Sequence, residues 1–249
     1  MKVGFLGLGK LGLPVALAIE SKGHDVCGTD ISNNTLENIK NKKINYKEIW
    51  VDDYLKNTKL KVLDLRGVVQ NSDIIFVPIQ TPHEEKYEGI TRIPKERADF
   101  NYEYLIKGMK DLSNEIEKQG NDKIVIIIST VLPGTVRKEI KPTLSKKVKL
   151  CYNPFFIAMG STMRDFLHPE FVLFGVDDIE AYKACKQFYK SITNAPLYDT
   201  TIENAELIKV AYNTLISTKI AFSNTLMELC HKLPNTNVDD VTNSLKLAN

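Results

Sequence analysis

The sequence of 249 residues has no marked charge imbalance, few cysteines and no long apolar run. Lys and Arg number 33 against 31 acidic residues, a formal net charge of +2, so charge favours neither nucleic acid nor a membrane surface as a partner. No apolar run approaches the roughly 20 residues that a membrane span needs. The four cysteines are widely spaced and form no CxxC pair, so we expect neither a disulfide framework nor a metal site. The sequence therefore predicts a soluble, cytoplasmic protein.

Apolar runs and helical stretches alternate over residues 1–200. The sequence predicts strands at residues 2–6, 25–29, 73–77, 123–129 and 148–152, and helices at residues 11–22 and 102–118. This alternation is typical of a doubly wound parallel sheet. We therefore predict an α/β fold of Rossmann type.

Residues 203–233 contain neither glycine nor proline, so they can form one helix of about 30 residues, whereas helices average about 11–12. Apolar residues lie nearly all round this helix, which indicates burial on more than one side. The expected organisation is a dinucleotide-binding domain at residues 1–200. Residues 201–249 would form a long central dimerisation helix and the start of a truncated following domain. A homodimer is the expected assembly.

Glycines follow the first predicted strand in the order Gly7-x-Gly9-x-x-Gly12 and open a helix. This spacing allows a tight turn, a close approach of the backbone to a pyrophosphate and close packing of helix on strand. Asp30 follows 18 residues after Gly12, at the end of the second strand, where it can accept hydrogen bonds from ribose hydroxyls. An acid there favours NAD over NADP. A glycine turn in a protein that binds no dinucleotide is the alternative. The predicted loop comprises Gly7, Leu8, Gly9, Lys10, Leu11 and Gly12.

Polar residues also follow the later strands and lie on the long helix. Ligands of open α/β sheets bind at the carboxyl ends of the strands, which directs attention to the residues after each strand. The long helix contributes Glu206, Lys209 and Asn213, and the last two share one face because they lie four positions apart. This pair indicates a buried polar site. The alternative is a lysine that extends to water and an asparagine at a helix bend.

Six segments occur in an order that points to a known family. They are GFLGLGKLGLPVA, IFVPIQTP, ADFNYEYL, STVLPGT, YNPFF and AELIKVAYNTLISTKIAFSN. In these segments the sequence resembles the UDP-glucose/GDP-mannose dehydrogenase family. The resemblance implies an NAD-dependent, two-step oxidation of the C6 alcohol of a nucleotide sugar to a carboxylate. In that family the aldehyde is held on a cysteine as a thiohemiacetal, oxidised to a thioester and hydrolysed.

The resemblance also implies roles for individual residues. Thr130 would order the hydrolytic water, Lys209 would stabilise the developing oxyanion, and Asn213 would bind the reacting oxygen or the water. The implied cofactor contacts beyond the glycine loop are Asp30, Thr81, Pro82, Ser129 and Thr130. The implied substrate contacts are Asn153, Phe155, Phe156, Ile157, Lys209 and Asn213.

Two features depart from the family pattern. Phe155 and Met159 stand where family members usually have glutamate, so the carboxylate base for thioester hydrolysis is absent. The nucleophilic cysteine of the family lies in a glycine-rich loop beyond the long helix. None of the four cysteines here has such a setting, and we interpret all four as packing residues.

Two other interpretations remain at this point. A β-hydroxyacid or 6-phosphogluconate-type dehydrogenase also joins a glycine-rich domain to a long helix with Lys-x-x-x-Asn, and it needs neither the cysteine nor the glutamate. An NAD-binding dimer module without catalysis is the third possibility. The Thr81-Pro82 and Asn153-Pro154 segments favour the nucleotide-sugar family.

Overall fold

The computed structural model describes residues 1–247, which form two compact units. The first is Met1–Leu207, and the second begins at Ile208. The strands of the first unit are β1 (Lys2–Leu6), β2 (Asp25–Thr29), β3 (Lys61–Val62), β4 (Ile74–Val77), β5 (Lys123–Ile127), β6 (Val148–Tyr152), β7 (Val172–Val176) and β8 (Leu197–Thr200). The α-helices within residues 1–247 are α1 (Gly12–Ser21), α2 (Asn33–Lys40), α3 (Val51–Asn57), α4 (Leu65–Gln70), α5 (Glu103–Gln119), α6 (Thr162–Leu167), α7 (Ile179–Lys190), α8 (Ile202–Lys232) and α9 (Val238–Leu245).

The eight strands form one sheet in the order β3-β2-β1-β4-β5-β6-β7-β8. All neighbouring pairs are parallel except β6 with β7, so the prediction of a doubly wound α/β fold is confirmed and the sheet is mixed at one pair. The strand order reverses between β1 and β4, and crevices at such reversals are where open sheets bind ligands. The antiparallel pair keeps the connection from β6 to β7 at the carboxyl end of β6.

The core of the first unit lies between the sheet and its helices. Every residue of β4 is buried, as expected for a central parallel strand that is covered on both faces. The rings of Phe5 and Phe76 are stacked at 5.3 Å, and the ring of Phe188 on α7 lies 5.6 Å from that of Phe76. Each fully buried side chain of this size contributes about 1.5–3 kcal/mol to folding. This packing fixes β1 and β4, whose carboxyl ends border the reversal.

Helix α8 is continuous over 31 residues, which confirms the predicted long helix to within one residue at each end. In the second unit it presents large apolar side chains to the surface, including Leu215, Ile220 and Phe222, each more than half exposed. Helix α9 begins after Asn237, whose side chain accepts a hydrogen bond of 2.7 Å from the N–H of Asp239. Over residues 1–247, no helix combines the length and apolarity that crossing a membrane requires.

Candidate dinucleotide site

The loop between β1 and α1 requires its glycines for different physical reasons. Gly7 has φ of +121°, a conformation that side chains disfavour. A Cβ on Gly12 would lie 2.1 Å from the carbonyl oxygen of Gly7, so only glycine fits there. A Cβ on Gly9 would project into open space beside the amino end of α1. Because helix amino ends attract phosphate, this open side of the loop fits a pyrophosphate.

Asp30 follows β2 and contacts the same loop. Its Oδ2 accepts a hydrogen bond of 2.7 Å from the Leu8 N–H, and its Oδ1 accepts one of 2.8 Å from the Ser32 N–H. The link to Leu8 was not predicted, since sequence spacing assigned Asp30 to a ribose alone. A carboxylate has about four acceptor positions, so both oxygens retain capacity for ribose hydroxyls. The residues present therefore fit a dinucleotide.

The segments that follow β4 and β5 lie against each other at the carboxyl end of the sheet. Ser129 Oγ donates to the carbonyl of Ile79 at 2.5 Å, and Thr81 Oγ1 donates to the carbonyl of Thr130 at 2.7 Å. The structure thus brings together Thr81, Ser129 and Thr130, which the sequence predicted as cofactor contacts. The carbonyl of Pro82 accepts from the Asn101 N–H at 2.7 Å and closes the long loop that follows.

Two residues with no role assigned from the sequence contact the segment of residues 129–136. Tyr102 Oη accepts a hydrogen bond of 3.1 Å from the Leu132 N–H, and burial together with Asp99 raises the pKa of Tyr102 to about 12. The carboxylate of Glu206 accepts from two backbone N–H groups of this segment. The sequence placed Glu206 on the long helix near Lys209 and Asn213 but gave no signal for this contact.

Lys209 and Asn213 lie together in the second unit. Lys209 Nζ donates to Asn213 Oδ1 at 3.2 Å. Lys209 is only 7% exposed, and burial lowers the pKa of its ammonium to about 8, while Asn213 is exposed. A lysine with this pKa is still mainly charged at pH 7 and can exchange a proton near neutrality. The arrangement therefore suits stabilisation of a developing negative charge.

The residues after β6 are mainly buried and apolar. The amide of Asn153 donates to the Leu173 carbonyl at 2.8 Å and accepts from the hydroxyl of Tyr189, which anchors it in the core. The ring of Phe155 lies 5.3 Å from that of Phe166 and is buried. Phe156 and Ile157 are half-buried, and Met159 is 67% exposed. The predicted substrate contacts of this segment stay predictions.

The cysteine thiols of the first unit are buried. Cys151 contacts Cys185, and this contact together with burial raises the pKa of the Cys151 thiol well above its ordinary value. Burial of Cys27, Cys151 and Cys185 fits the interpretation of these three as packing residues, whereas Cys230 on α8 is only partly buried. In the part of the chain that the structure describes, no three His, Cys, Asp or Glu side chains form a group that could hold a metal ion.

Two family models match the sequence. Residues 1–193 match the NAD binding domain of the UDP-glucose/GDP-mannose dehydrogenase family, and residues 203–249 match its central domain. A UDP-glucose 6-dehydrogenase of Rickettsia conorii is 28% identical over 99% of this chain and 55% of its own length. A UDP-N-acetyl-D-mannosamine dehydrogenase of Methanococcus maripaludis is 27% identical over 100% of this chain and 55% of its length. The chain thus spans about half the length of these relatives.

Solved structures show the same fold. A GDP-mannose dehydrogenase from Pseudomonas aeruginosa superposes with a TM-score of 0.88 at 23% identity, over 99% of this chain and 57% of the other. A UDP-glucose dehydrogenase from Pyrobaculum islandicum gives 0.87 at 23% identity, over 100% of this chain and 57% of the other. The cofactor prediction is confirmed as NAD by the domain model that matches residues 1–193. Since the two models together cover most of the sequence, the chain belongs to the UDP-glucose/GDP-mannose dehydrogenase family.

Proposed function

We propose that this chain is the cofactor-binding and central part of an NAD-dependent nucleotide-sugar 6-dehydrogenase, which oxidises the C6 alcohol of a UDP- or GDP-sugar to the uronate. The observation that carries the proposal is the hydrogen-bonded pair of buried Lys209 and Asn213 within the stretch that matches the central domain. A glycine turn alone would explain NAD binding but not this pair. The two relatives from Rickettsia conorii and Methanococcus maripaludis are dehydrogenases of UDP-sugars, which supports the substrate class.

In this proposal each group of residues has a distinct task. The glycine loop and Asp30 bind the adenosine half of NAD, and Thr81, Pro82, Ser129 and Thr130 line the second half of the cofactor site. Bound NAD supplies the acceptor for the hydride that leaves C6. Lys209 stabilises the oxyanion that develops as the alcohol is oxidised, and Asn213 orients the reacting oxygen or a water. Thr130 positions the water of the hydrolytic step.

The proposed domain division is residues 1–200 for dinucleotide binding and residues 201–249 for the central helix and the start of a following domain. We further propose that α8 pairs with its two-fold mate in a homodimer. Support comes from the exposed apolar side chains Leu215, Ile216, Ile220, Phe222 and Leu229, because a row of this length on one helix is typical of a protein interface. We also propose a cytoplasmic setting, which is favoured by the wide spacing of the four cysteines without a CxxC pair.

The stoichiometry of NADH formation tests the proposal. The whole protein that contains this chain is incubated with UDP-glucose, GDP-mannose or a β-hydroxyacid, and NADH is followed by absorbance. We expect two NADH per sugar nucleotide consumed. One NADH per hydroxyacid would favour the hydroxyacid dehydrogenase interpretation, and NAD binding with no turnover on any substrate would favour a module without catalysis.

A further inference from the structure

The segment of residues 129–136, which carries Ser129 and Thr130, is held by side chains from distant parts of the first unit. Near its start, Thr81 donates to the Thr130 carbonyl, and in its middle Tyr102 accepts from the Leu132 N–H. At its end, Glu206 Oε2 accepts from the Gly134 N–H at 2.5 Å and Glu206 Oε1 accepts from the Val136 N–H at 2.8 Å. Glu206 therefore anchors the end of the segment through two backbone N–H groups.

The Glu206 carboxylate is buried, and burying a charged group costs free energy unless hydrogen bonds compensate for the lost water. The residue is 0% exposed, and burial raises its pKa, while the two N–H groups oppose that rise. Hydrogen bonds to an ionised acceptor are about twice as strong as those between neutral groups. Gly134 has φ of +91°, which turns the chain so that its N–H and that of Val136 converge on one carboxylate. A glutamine could satisfy one N–H with its oxygen, but its NH₂ group would oppose the other.

The same arrangement occurs once more in the first unit. Glu48, also buried, accepts from the Gly160 N–H at 2.9 Å and from the Thr162 N–H at 2.5 Å. Gly160 has φ of +95°, like its counterpart Gly134. Here the carboxylate holds the segment before α6 instead of the one after β5. Glu48 therefore provides a control with the same chemistry at a different place.

We infer that Glu206 is a positioning residue that keeps the 129–136 segment in the conformation that binds the nicotinamide half of NAD. The inference rests on the proposed function, because it takes Ser129 and Thr130 as cofactor contacts. The first half of the site, the glycine loop with Asp30, lies after β1 and β2 and does not include this segment. Loss of the Glu206 contacts should therefore weaken the binding of ligands that reach both halves of the site. It should leave unchanged the binding of ligands that use only the first half.

The experiment compares NADH and ADP as ligands of the 249-residue chain and its variants by calorimetric titration. For Glu206→Gln we expect the Kd of NADH to rise about tenfold while the Kd of ADP is unchanged. A tenfold rise follows if the binding-competent segment is populated about one tenth of the time, and it corresponds to about 1.4 kcal/mol. For Glu48→Gln we expect a fall in Tm comparable to that of Glu206→Gln. The ratio of the NADH affinity to the ADP affinity should be unchanged in the Glu48→Gln variant.

The outcomes separate this inference from the proposed function. If the unmodified chain binds no NADH, the proposed function fails, whereas unchanged NADH affinity in a folded Glu206→Gln variant overturns only the role of Glu206. An equal loss of NADH and ADP affinity also overturns it, because that is the effect of general destabilisation. If Glu206→Gln does not fold, Glu206→Asp keeps the charge but shortens the reach. The Glu206→Asp variant should still bind NADH more weakly while its affinity for ADP is unchanged. An unchanged NADH affinity in this variant refutes the inference.

Discussion

The buried ammonium of Lys209 should make the stability of the chain depend on pH in a way that Lys209→Met removes. Methionine keeps an unbranched apolar side chain of similar length and lacks the charge. A fall in the pKa of Lys209 from 10.5 to about 8 corresponds to about 3 kcal/mol of unfavourable free energy for the charged form in the folded state. The variant loses the hydrogen bond to Asn213, which costs about 1 kcal/mol. At pH 7 we therefore expect Lys209→Met to raise the free energy of unfolding.

The sign of the pH dependence follows from proton binding. Between about pH 8 and pH 10.5 the unfolded lysine keeps its proton while the folded one has lost it, so the unfolded state binds more protons. The free energy of unfolding of the parent chain should therefore rise with pH across this window, and it should be insensitive to Lys209 below it. The advantage of Lys209→Met should shrink by about 3 kcal/mol as pH increases through the window.

Urea denaturation at several pH values between 7 and 10.5 measures the difference between the two chains. Groups other than Lys209 titrate in both chains, so their effects cancel in that difference. Lys219→Met is the matched control, because Lys219 lies on the same helix and is exposed. A stability difference for Lys209→Met that is flat across this pH range, like that expected of the control, would refute the argument that burial of Lys209 lowers its pKa.

Three further predictions concern cofactor choice, assembly and activity. Asp30→Ala should weaken the binding of NAD more than that of NADP and so narrow the preference between the two cofactors, as measured by titration. Equal affinities of the unmodified chain for NAD and NADP would contradict the assignment of Asp30 to the ribose. Ile220→Glu should convert the proposed dimer to a monomer at micromolar concentration, as measured by light scattering, whereas Thr214→Glu, also exposed on α8, serves as the control. The 249-residue chain should bind NAD without detectable NADH formation on UDP- or GDP-sugars, because Cys27, Cys151 and Cys185 are buried and none of its four cysteines has the glycine-rich setting of the family's nucleophile. Turnover that Cys151→Ala abolishes would make that thiol the nucleophile.

Sequence patterns predicted the elements whose signals are local and strong. Strand β6 has the predicted bounds, and α8 differs by one residue at each end, because a continuous apolar run and a long stretch without glycine or proline are unambiguous. Strand β3 has only two residues, too few for any periodicity. Strand β8 lies at the sheet edge, and none of its four residues is buried, so it lacks a buried apolar run. The antiparallel pairing of β7 was not predicted, because alternation of elements carries no direction.

The candidate site divides in the same way between local and distant contacts. The glycine loop and Asp30 were predictable because the fold fixes their spacing along the chain. The contact of Glu206 with the Gly134 N–H joins residues 72 positions apart, and that of Tyr102 with the Leu132 N–H joins residues 30 apart. Such contacts depend on how the strands are ordered and on where α8 begins. Sequence spacing therefore predicts candidate ligand contacts more readily than the residues that hold those candidates in place.

Phe155 shows how the structure gives physical meaning to a departure from the family pattern. Its buried ring packs on Phe166 and lies 6.5 Å from Phe76, which in turn stacks on Phe5 in the core. A carboxylate at this place would lie among aromatic rings and would need a polar partner. The segment after β6 is thus built for apolar packing where the resemblance leads one to expect a base. The glycine loop, Asp30 and Lys209 all remain, so the chain retains the hydride-transfer part of the proposed chemistry more fully than the hydrolytic part.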